Sequence, residues 1–370
     1  MLKIDIILPY KELFSSNGSS AVSISVKNSI TQSKFKKNIN VFGQFVKNPF
    51  IDINFIGFYP YKFIHFSKNL SIIKQYLKKT RNDKSNKIIE IHNRPYLLNY
   101  IFKKKINQCV VLYFHNDPLT MKGSKSILER LNILKNASGI IFVSRFLKEK
   151  FFEGIKESYD NIYIVPNSLD QNFNIKKINK FKQILYVGRI VKEKGVHIFL
   201  DAIKNLSKKH LDWKFIIIGS SKLGYNTKST YEKKIISDAS LMDTNVQYFG
   251  YTSNEKVKKI MSESSILVIP SVWEEPFGIT AIEGLSNKMA IVGSEVGGLR
   301  EIISGRGILI TEINERKLQK ELEKLINNPE KILKYQNLAW KNYLYSQKKI
   351  SMIQDDIREK IFEKFNNNTD

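Results

Sequence analysis

The chain carries one cysteine, Cys109, in 370 residues. A single thiol excludes an intramolecular disulfide and fits a reducing compartment. Cys109 opens the apolar run Cys109-Val-Val-Leu-Tyr-Phe114, so its reading is core packing rather than a reactive thiol. No apolar run reaches the roughly 18 residues that a membrane span needs. The opening Met-Leu-Lys-Ile-Asp-Ile-Ile-Leu-Pro is too short for a signal peptide and holds an acid. The expectation is a cytoplasmic protein, soluble or peripheral on the inner face of the membrane. Arginine is scarce, 9 residues against 51 lysines. Readers of base edges and of RNA lean on the planar guanidinium. With no Arg-rich run or aromatic stacking motif, charge-driven nucleic-acid binding stays a minor alternative, and no nucleic-acid partner is expected. There is no His/Cys cluster with metal-ligand spacing, and the 13 aspartates never stand two apart. No metal and no cofactor are expected.

What is present is apolar content of 42%, ample for two packed domains at this length. The formal charge of +25 asks for an anionic partner, and a lysine excess suits point-charge attraction to an anionic membrane surface. A composition biased toward Lys, Asn and Ile explains the same excess, and both readings stay open.

The chain is organised around Ile266–Val292. A buried strand (Ile266–Ile269) leads through an irregular loop into a short helix and a second buried strand (Ala290–Val292), the signature of a parallel sheet. Pro276 suits a helix entry, and Gly278 lets backbone approach a ligand. The N–H groups of Phe277, Gly278, Ile279 and Thr280 then point out of a helix start that attracts phosphate. Glu275 before the helix and Glu283 within it are acceptors suited to vicinal hydroxyls of a sugar or ribose.

A second constellation is Ile184-Leu-Tyr-Val-Gly188-Arg189, then Lys192-Glu-Lys194-Gly195 and a helix from Val196 to Leu206. Strand, glycine, cations and helix start form a phosphate-binding order. Arg189 offers a bidentate grip and Lys194 a point charge to a diphosphate.

Glu275-Pro-Phe-Gly-Ile-Thr-Ala-Ile-Glu283, followed by Gly297-Gly298-Leu-Arg-Glu301, resembles the Glu-x7-Glu signature of retaining glycosyltransferase family 4, the glycosyl transferases group 1. The segment with Arg189 and Lys194 is similar to that family's second motif. The resemblance covers nearly the whole chain, strongly from Ile184 to Ile303 and weakly before Ser144. It implies the GT-B fold, an α/β architecture of two facing Rossmann-like domains with the site in the cleft between them. Residues 1–170 form the acceptor-binding domain and 171–347 the donor-binding domain, and a terminal helix at about 348–365 crosses back to the first. It further implies that Arg189, Lys194 and the backbone around Gly278 hold the donor diphosphate. Glu283 takes the ribose, Tyr251 borders the base, and Glu275 with Phe277 to Ile279 holds the sugar. His115 is the cleft histidine that touches the sugar. The metal-chelating Asp-x-Asp of the other large glycosyltransferase fold is missing, so the cations must neutralise the leaving group.

Taken in order, the first strand (Lys3–Leu8) runs into a polar loop with Gly18, and Ser19 stands where the family has a second glycine. A helix follows at about Ala21–Thr31. Phe66–Lys79 places Leu70, Ile73 and Leu77 at helical spacing among lysines. It reads as a surface helix with one core face, or as a basic amphipathic helix on a bilayer. His92-Asn-Arg94 and His115-Asn-Asp117 follow apolar strands, so His92, Arg94, His115 and Asp117 look into one cleft. Gln171–Lys182 reads as a linker, and Asn366–Asp370 as a disordered end.

The expected function is retaining, metal-independent transfer of a hexose-type sugar from a UDP-sugar or GDP-sugar to a glycan or lipid-linked glycan. Lipopolysaccharide or another cell-surface polysaccharide is the expected product. A nucleotide-sugar epimerase or hydrolase on the same architecture is the enzymatic alternative.

Overall fold

The computed structural model describes residues 2–16, 20–61, 67–83, 85–103, 108–221 and 227–367. The chain divides into two compact units, Met1–Ser168 with Tyr345–Asp370, and Leu169–Leu344.

The first unit holds strands β1 (Lys3–Ile7), β2 (Ile39–Gln44), β3 (Asn54–Phe58), β4 (Lys87–His92), β5 (Cys109–Phe114), β6 (Gly139–Phe142) and β7 (Ile162–Ile164). Its helices are α1 (Ala21–Thr31), α2 (Lys68–Lys79), α3 (Tyr96–Lys103), α4 (Ile127–Asn136) and α5 (Arg145–Phe152). The strands form one parallel sheet in the order β3-β2-β1-β4-β5-β6-β7. β1 lies between β2 and β4, with Ile6 opposite both Val41 and Glu90. The central strands β4 and β5 are buried along their whole length, as a sheet covered on both faces requires. Cys109 lies in that core, and burial pushes its thiol up to about 12.

The second unit holds β8 (Phe181–Val187), β9 (Lys214–Ile218), β10 (Val246–Gly250), β11 (Ser264–Ile269), β12 (Ala290–Ser294) and β13 (Ile308–Ile310). With them run α6 (Val196–Lys209), α7 (Thr230–Ser240), α8 (Asn254–Glu263), α9 (Ile279–Ser286), α10 (Leu299–Ile303), α11 (Glu315–Ile326) and α12 (Pro329–Lys341). The parallel order β10-β9-β8-β11-β12-β13 is that of a doubly wound nucleotide-binding fold. Each unit is Rossmann-like. The last helix, α13 (Gln347–Asn367), belongs to the first unit, where it packs on α1, β4 and β5.

Local chemistry starts many helices. Ser20, Ser126, Ser144, Ser229 and Ser253 each accept a backbone N–H at an N-cap, and Pro329 stands in the first turn of α12 behind the cap Asn328.

Three expectations are corrected. On α2 the buried face is Ser71, Ile72, Ile73 and Tyr76, while Leu70 and Leu77 are half-buried. The Tyr76 hydroxyl donates to Asp5 Oδ2 at 2.8 Å, which gives that ring a polar anchor in the core and turns the helix toward it. The segment from Gln171 to Lys182 is no free linker. Gln171 donates to Trp340 O, Phe181 and Lys182 belong to β8, and Lys180 Nζ donates to the carbonyls of Met261, Ser264 and Asn287 at 3.3, 2.9 and 2.7 Å. Asn366 and Asn367 continue α13, and residues 368–370 lie outside the described residues.

Candidate functional site

In a doubly wound sheet, ligands bind outside the carboxyl ends of the strands where the order reverses. In the second unit that point lies between β8 and β11, and the loops after these two strands are packed together. Gly195 has φ +67°, and a Cβ there would stand 1.8 Å from Pro270 O, so only glycine closes this contact. Val272 N donates to Glu193 O at 2.9 Å across the same seam. Arg189 is exposed at the mouth of the β8 loop.

Lys194 and Glu275 meet directly. Lys194 Nζ donates to Glu275 Oε1 at 2.5 Å, and Ser271 Oγ donates to the same oxygen at 2.6 Å. Glu275 is buried, and the Lys194 amine also stands 5.6 Å from the centre of the Trp273 ring. Behind this loop Gly298 N donates to Glu275 O at 2.7 Å. A Cβ on Gly297 would lie 2.4 Å from that oxygen, and one on Gly298 would lie 2.8 Å from Phe277 Cα. The glycine pair after β12 therefore lets two backbones touch behind the carboxylate.

The helix behind Glu275 starts later than its proline suggests. Gly278 is its N-cap, with φ +110° and ψ +62°, and α9 begins at Ile279. Pro276 thus precedes the cap, because the left-handed Gly278 turns the chain before the first helical residue. Ile279 and Thr280 open the helix, whereas the buried Phe277 and the half-buried Gly278 precede it.

Glu283 stands one turn into α9, half-buried, and accepts no hydrogen bond to its side chain from the described residues. Burial pushes its carboxyl up to about 7, against the pull of Lys258. Tyr251 follows β10 and is 59% exposed. Nearby, Glu232 is a residue that sequence reasoning missed. It accepts from Ser220 Oγ, Ser221 N, Ser221 Oγ and the Tyr248 hydroxyl at 2.6–3.2 Å, tying together the ends of β9 and β10. Burial opposes its charge, yet these donors hold its carboxyl below the usual range. The signal was Ser229-x-x-Glu232 following Ser220-Ser221.

In the first unit, His92 ends β4 and His115 follows β5. His92 Nδ1 and His115 Nε2 are 2.8 Å apart, and Tyr113 stacks with both rings at centroid distances of 4.9 and 4.8 Å. Asn93, at φ +51°, accepts from His115 N at 2.8 Å and ties the two strand ends together. Burial, with His92 alongside, holds the His115 imidazole well below its usual range. The other two expected members of this cluster do not join it. Arg94 Nη1 donates to Asn93 O at 2.6 Å, and Asp117 Oδ1 accepts from Leu119 N, capping the short turn Pro118–Thr120. Gly18 lies outside the described residues.

Two parallel Rossmann-like units, one with cations and a helix start at its switch point, define a nucleotide-ligand class of fold. Residues 168–341 match the family described as glycosyl transferases group 1. It is 26% identical over 285 residues to a lipopolysaccharide 1,2-N-acetylglucosaminetransferase of Salmonella typhimurium, covering 69% of this chain and 70% of the relative. With an uncharacterized glycosyltransferase of Methanocaldococcus jannaschii it shares 31% identity over 229 residues, 57% of this chain; the match spans only 59% of that relative's length. The fold is shared with Anabaena Alr3699/HepE, solved in complex with UDP and glucose (TM-score 0.73, 15% identity, 96% of this chain and 99% of the other). It is shared as well with WaaG, a glycosyltransferase involved in lipopolysaccharide biosynthesis (TM-score 0.66, 13% identity, 96% and 99%). Among the described residues, no helix is long and apolar enough to cross a membrane.

Proposed function

We propose that the protein transfers a hexose-type sugar from a nucleotide-diphosphate sugar to a glycan acceptor, with retention at the anomeric carbon and without a divalent ion. The observation that carries this reading is the Lys194–Glu275 contact, made between the loops after β8 and β11 that also carry Arg189 and lead into α9. It sets a carboxylate for sugar hydroxyls against cations for a diphosphate.

In this reading Arg189, Lys194 and the first N–H groups of α9 neutralise the charge that grows on the leaving diphosphate. Glu275 holds the sugar hydroxyls with the backbone of Phe277 to Ile279. Glu283, a half-buried acid with no hydrogen-bond donor among the described residues, takes the ribose. Tyr251 borders the base, and in the first unit His115 is assigned to a sugar hydroxyl. The displacement runs on the front face, and the leaving phosphate takes the acceptor's proton. A UDP-sugar is the favoured donor, a choice supported by UDP and glucose in Anabaena HepE. A lipid-linked or cell-surface glycan acceptor is supported by the Salmonella relative. Attraction to an anionic membrane surface is supported by the net charge of +25 and by the exposed, stacked Phe45 and Tyr59 of the first unit.

The test is binding and slow hydrolysis of a panel of UDP- and GDP-sugars in the presence of a chelator, for wild type and Glu275→Ala. One donor should bind and turn over, with turnover lost in the variant by roughly 10²-fold or more. Failure to bind any donor, or dependence on added metal, would overturn the reading.

A further inference from the structure

Beneath His115 lies a chain of buried polar groups that the reading above does not use. His92 Nε2, the nitrogen that does not meet His115, stands 3.9 Å from Glu90 Oε2 and has no hydrogen-bond partner. Glu90 is gripped by Arg358 of α13, Nε to Oε1 at 2.7 Å and Nη2 to Oε2 at 2.9 Å. Arg358 Nη1 also reaches Asp355 Oδ1 at 3.2 Å, and Asp355 accepts from Ser33 Oγ and Lys34 N. All of Glu90, His92, Asp355 and Arg358 are buried. Two carboxylates share one guanidinium, so the cluster under the histidine pair carries one net negative charge.

That charge orders the protons above it. A lone pair on His92 Nε2 would face a carboxylate, whereas an N–H there faces it favourably. With the proton on Nε2, His92 Nδ1 is bare and can only accept. His115 Nε2 must then be the donor across the 2.8 Å contact, and His115 Nδ1 is left bare. That atom makes no hydrogen bond with the described residues, and His115 keeps 7% of its surface exposed.

A second observation points the same way. A cavity of about 10 Å³, room for a single water, is walled by His92, Ser168 and Gln354 among others. His92 Nε2, Ser168 Oγ and Gln354 Oε1 are all buried without a partner. Gln354 Oε1 only accepts, so a bridging water donates one proton to it and has lone pairs free to accept a proton held on His92 Nε2.

We propose that His92 is a positioning residue, ordered by Glu90 and Arg358, that fixes His115 as a hydrogen-bond acceptor through Nδ1. The proposal rests on the assignment of His115 to the bound sugar, and it deepens that assignment. The ligand group that His115 meets must be a donor, a hydroxyl rather than a carbonyl or phosphate oxygen. Around the histidine pair stand Glu90 on β4, Tyr113 on β5, Gln354, Asp355 and Arg358 on α13, and Ser168.

The test is nitrogen NMR of the full chain, labelled in its five histidines, at neutral pH without ligand. The expected spectrum has His115 protonated on Nε2 alone, with a coupling through the hydrogen bond to an unprotonated His92 Nδ1. A proton on His92 Nδ1 or on His115 Nδ1, or a mixture of the two orders, would overturn the proposal. The triple variant Glu90→Gln/Asp355→Asn/Arg358→Met removes both carboxylate charges together with their shared counter-charge, and it should scramble the order. An unchanged order in that folded variant would remove Glu90 from the argument. Donor hydrolysis by His115→Ala tests the underlying assignment separately. Wild-type turnover by that variant, beside the expected proton order in the unsubstituted protein, would sink the sugar contact and leave the order standing.

Discussion

Arg358, near the end of the chain, forks onto both carboxylate oxygens of Glu90, in the middle of a central strand 268 residues earlier. Burial pushes the Glu90 carboxyl up, but the Arg358 charge outweighs it and the group sits at about 2. A carboxylate whose folded value lies below its unfolded one, about 4.3, contributes stability above that unfolded value. The contribution is lost as pH falls from about 4.3 toward about 2. Denaturant melts at pH 7 and pH 3 should show the loss.

Removing one partner alone strands a buried charge. Arg358→Met should cost about 3–5 kcal/mol at pH 7, and Glu90→Gln/Asp355→Asn/Arg358→Met, which leaves no buried charge behind, should recover most of it. Equal stability of the single and triple variants by denaturant titration would contradict this account.

The seam at Gly195 can be weighed against a glycine that touches nothing. Gly195 and Gly305 share a left-handed backbone, at φ +67° and +72°. A Cβ at 195 meets Pro270 O, whereas a Cβ at 305 points into open space. Gly305→Ala should cost only the backbone term, about 1–2 kcal/mol. Gly195→Ala should cost more than about 3 kcal/mol and abolish donor binding, because it parts the loops that carry Lys194 and Glu275. Thermal melts and donor titration check both.

Glu283 supplies a pH signature. Its carboxyl is raised to about 7, and ribose hydroxyls donate best to the ionised form. Donor binding should therefore tighten as pH rises from about 6 to about 8, and Glu283→Gln should flatten that profile. Calorimetric titration of the donor across this range is the measurement.

Lys180 is a half-buried cation that closes two helices. Its three carbonyl acceptors lie at the ends of α8 and α9, at Met261, Ser264 and Asn287. Burial pushes its amine down to about 7, with Lys288 adding to the shift, and the carbonyls are what its charged form needs. Lys180→Met should cost about 1–3 kcal/mol in a denaturant titration, since those acceptors lose their donor. A change confined within experimental error would show that water replaces the ammonium.

The strands were legible because each is a short apolar run that can only be buried. Ile88–Ile91 and Ile266–Ile269 announce β4 and β11 in this way. The cations after β8 and the carboxylates around α9 were legible because glycines mark where backbone must come close. What stayed hidden depends on partners far away in sequence. Glu90 was the single acid in an apolar strand, yet nothing nearby names Arg358. Lys180 sat in a basic run that composition alone assigns to solvent. Asp117 looked like a cleft residue because it follows a strand, but an Asp two residues before a free N–H is satisfied locally. Pro276 suggested an earlier helix start because a proline's preference is weaker than the turn imposed by Gly278.

The return of α13 also sets a clock for biosynthesis. When residues 1–168 have left the ribosome, the counter-charge of Glu90 is still nearly two hundred residues from being made. Until Arg358 emerges, the nascent first unit must either keep that strand wet or hold Glu90 as a neutral acid. The first unit therefore matures last, although its sheet is translated first.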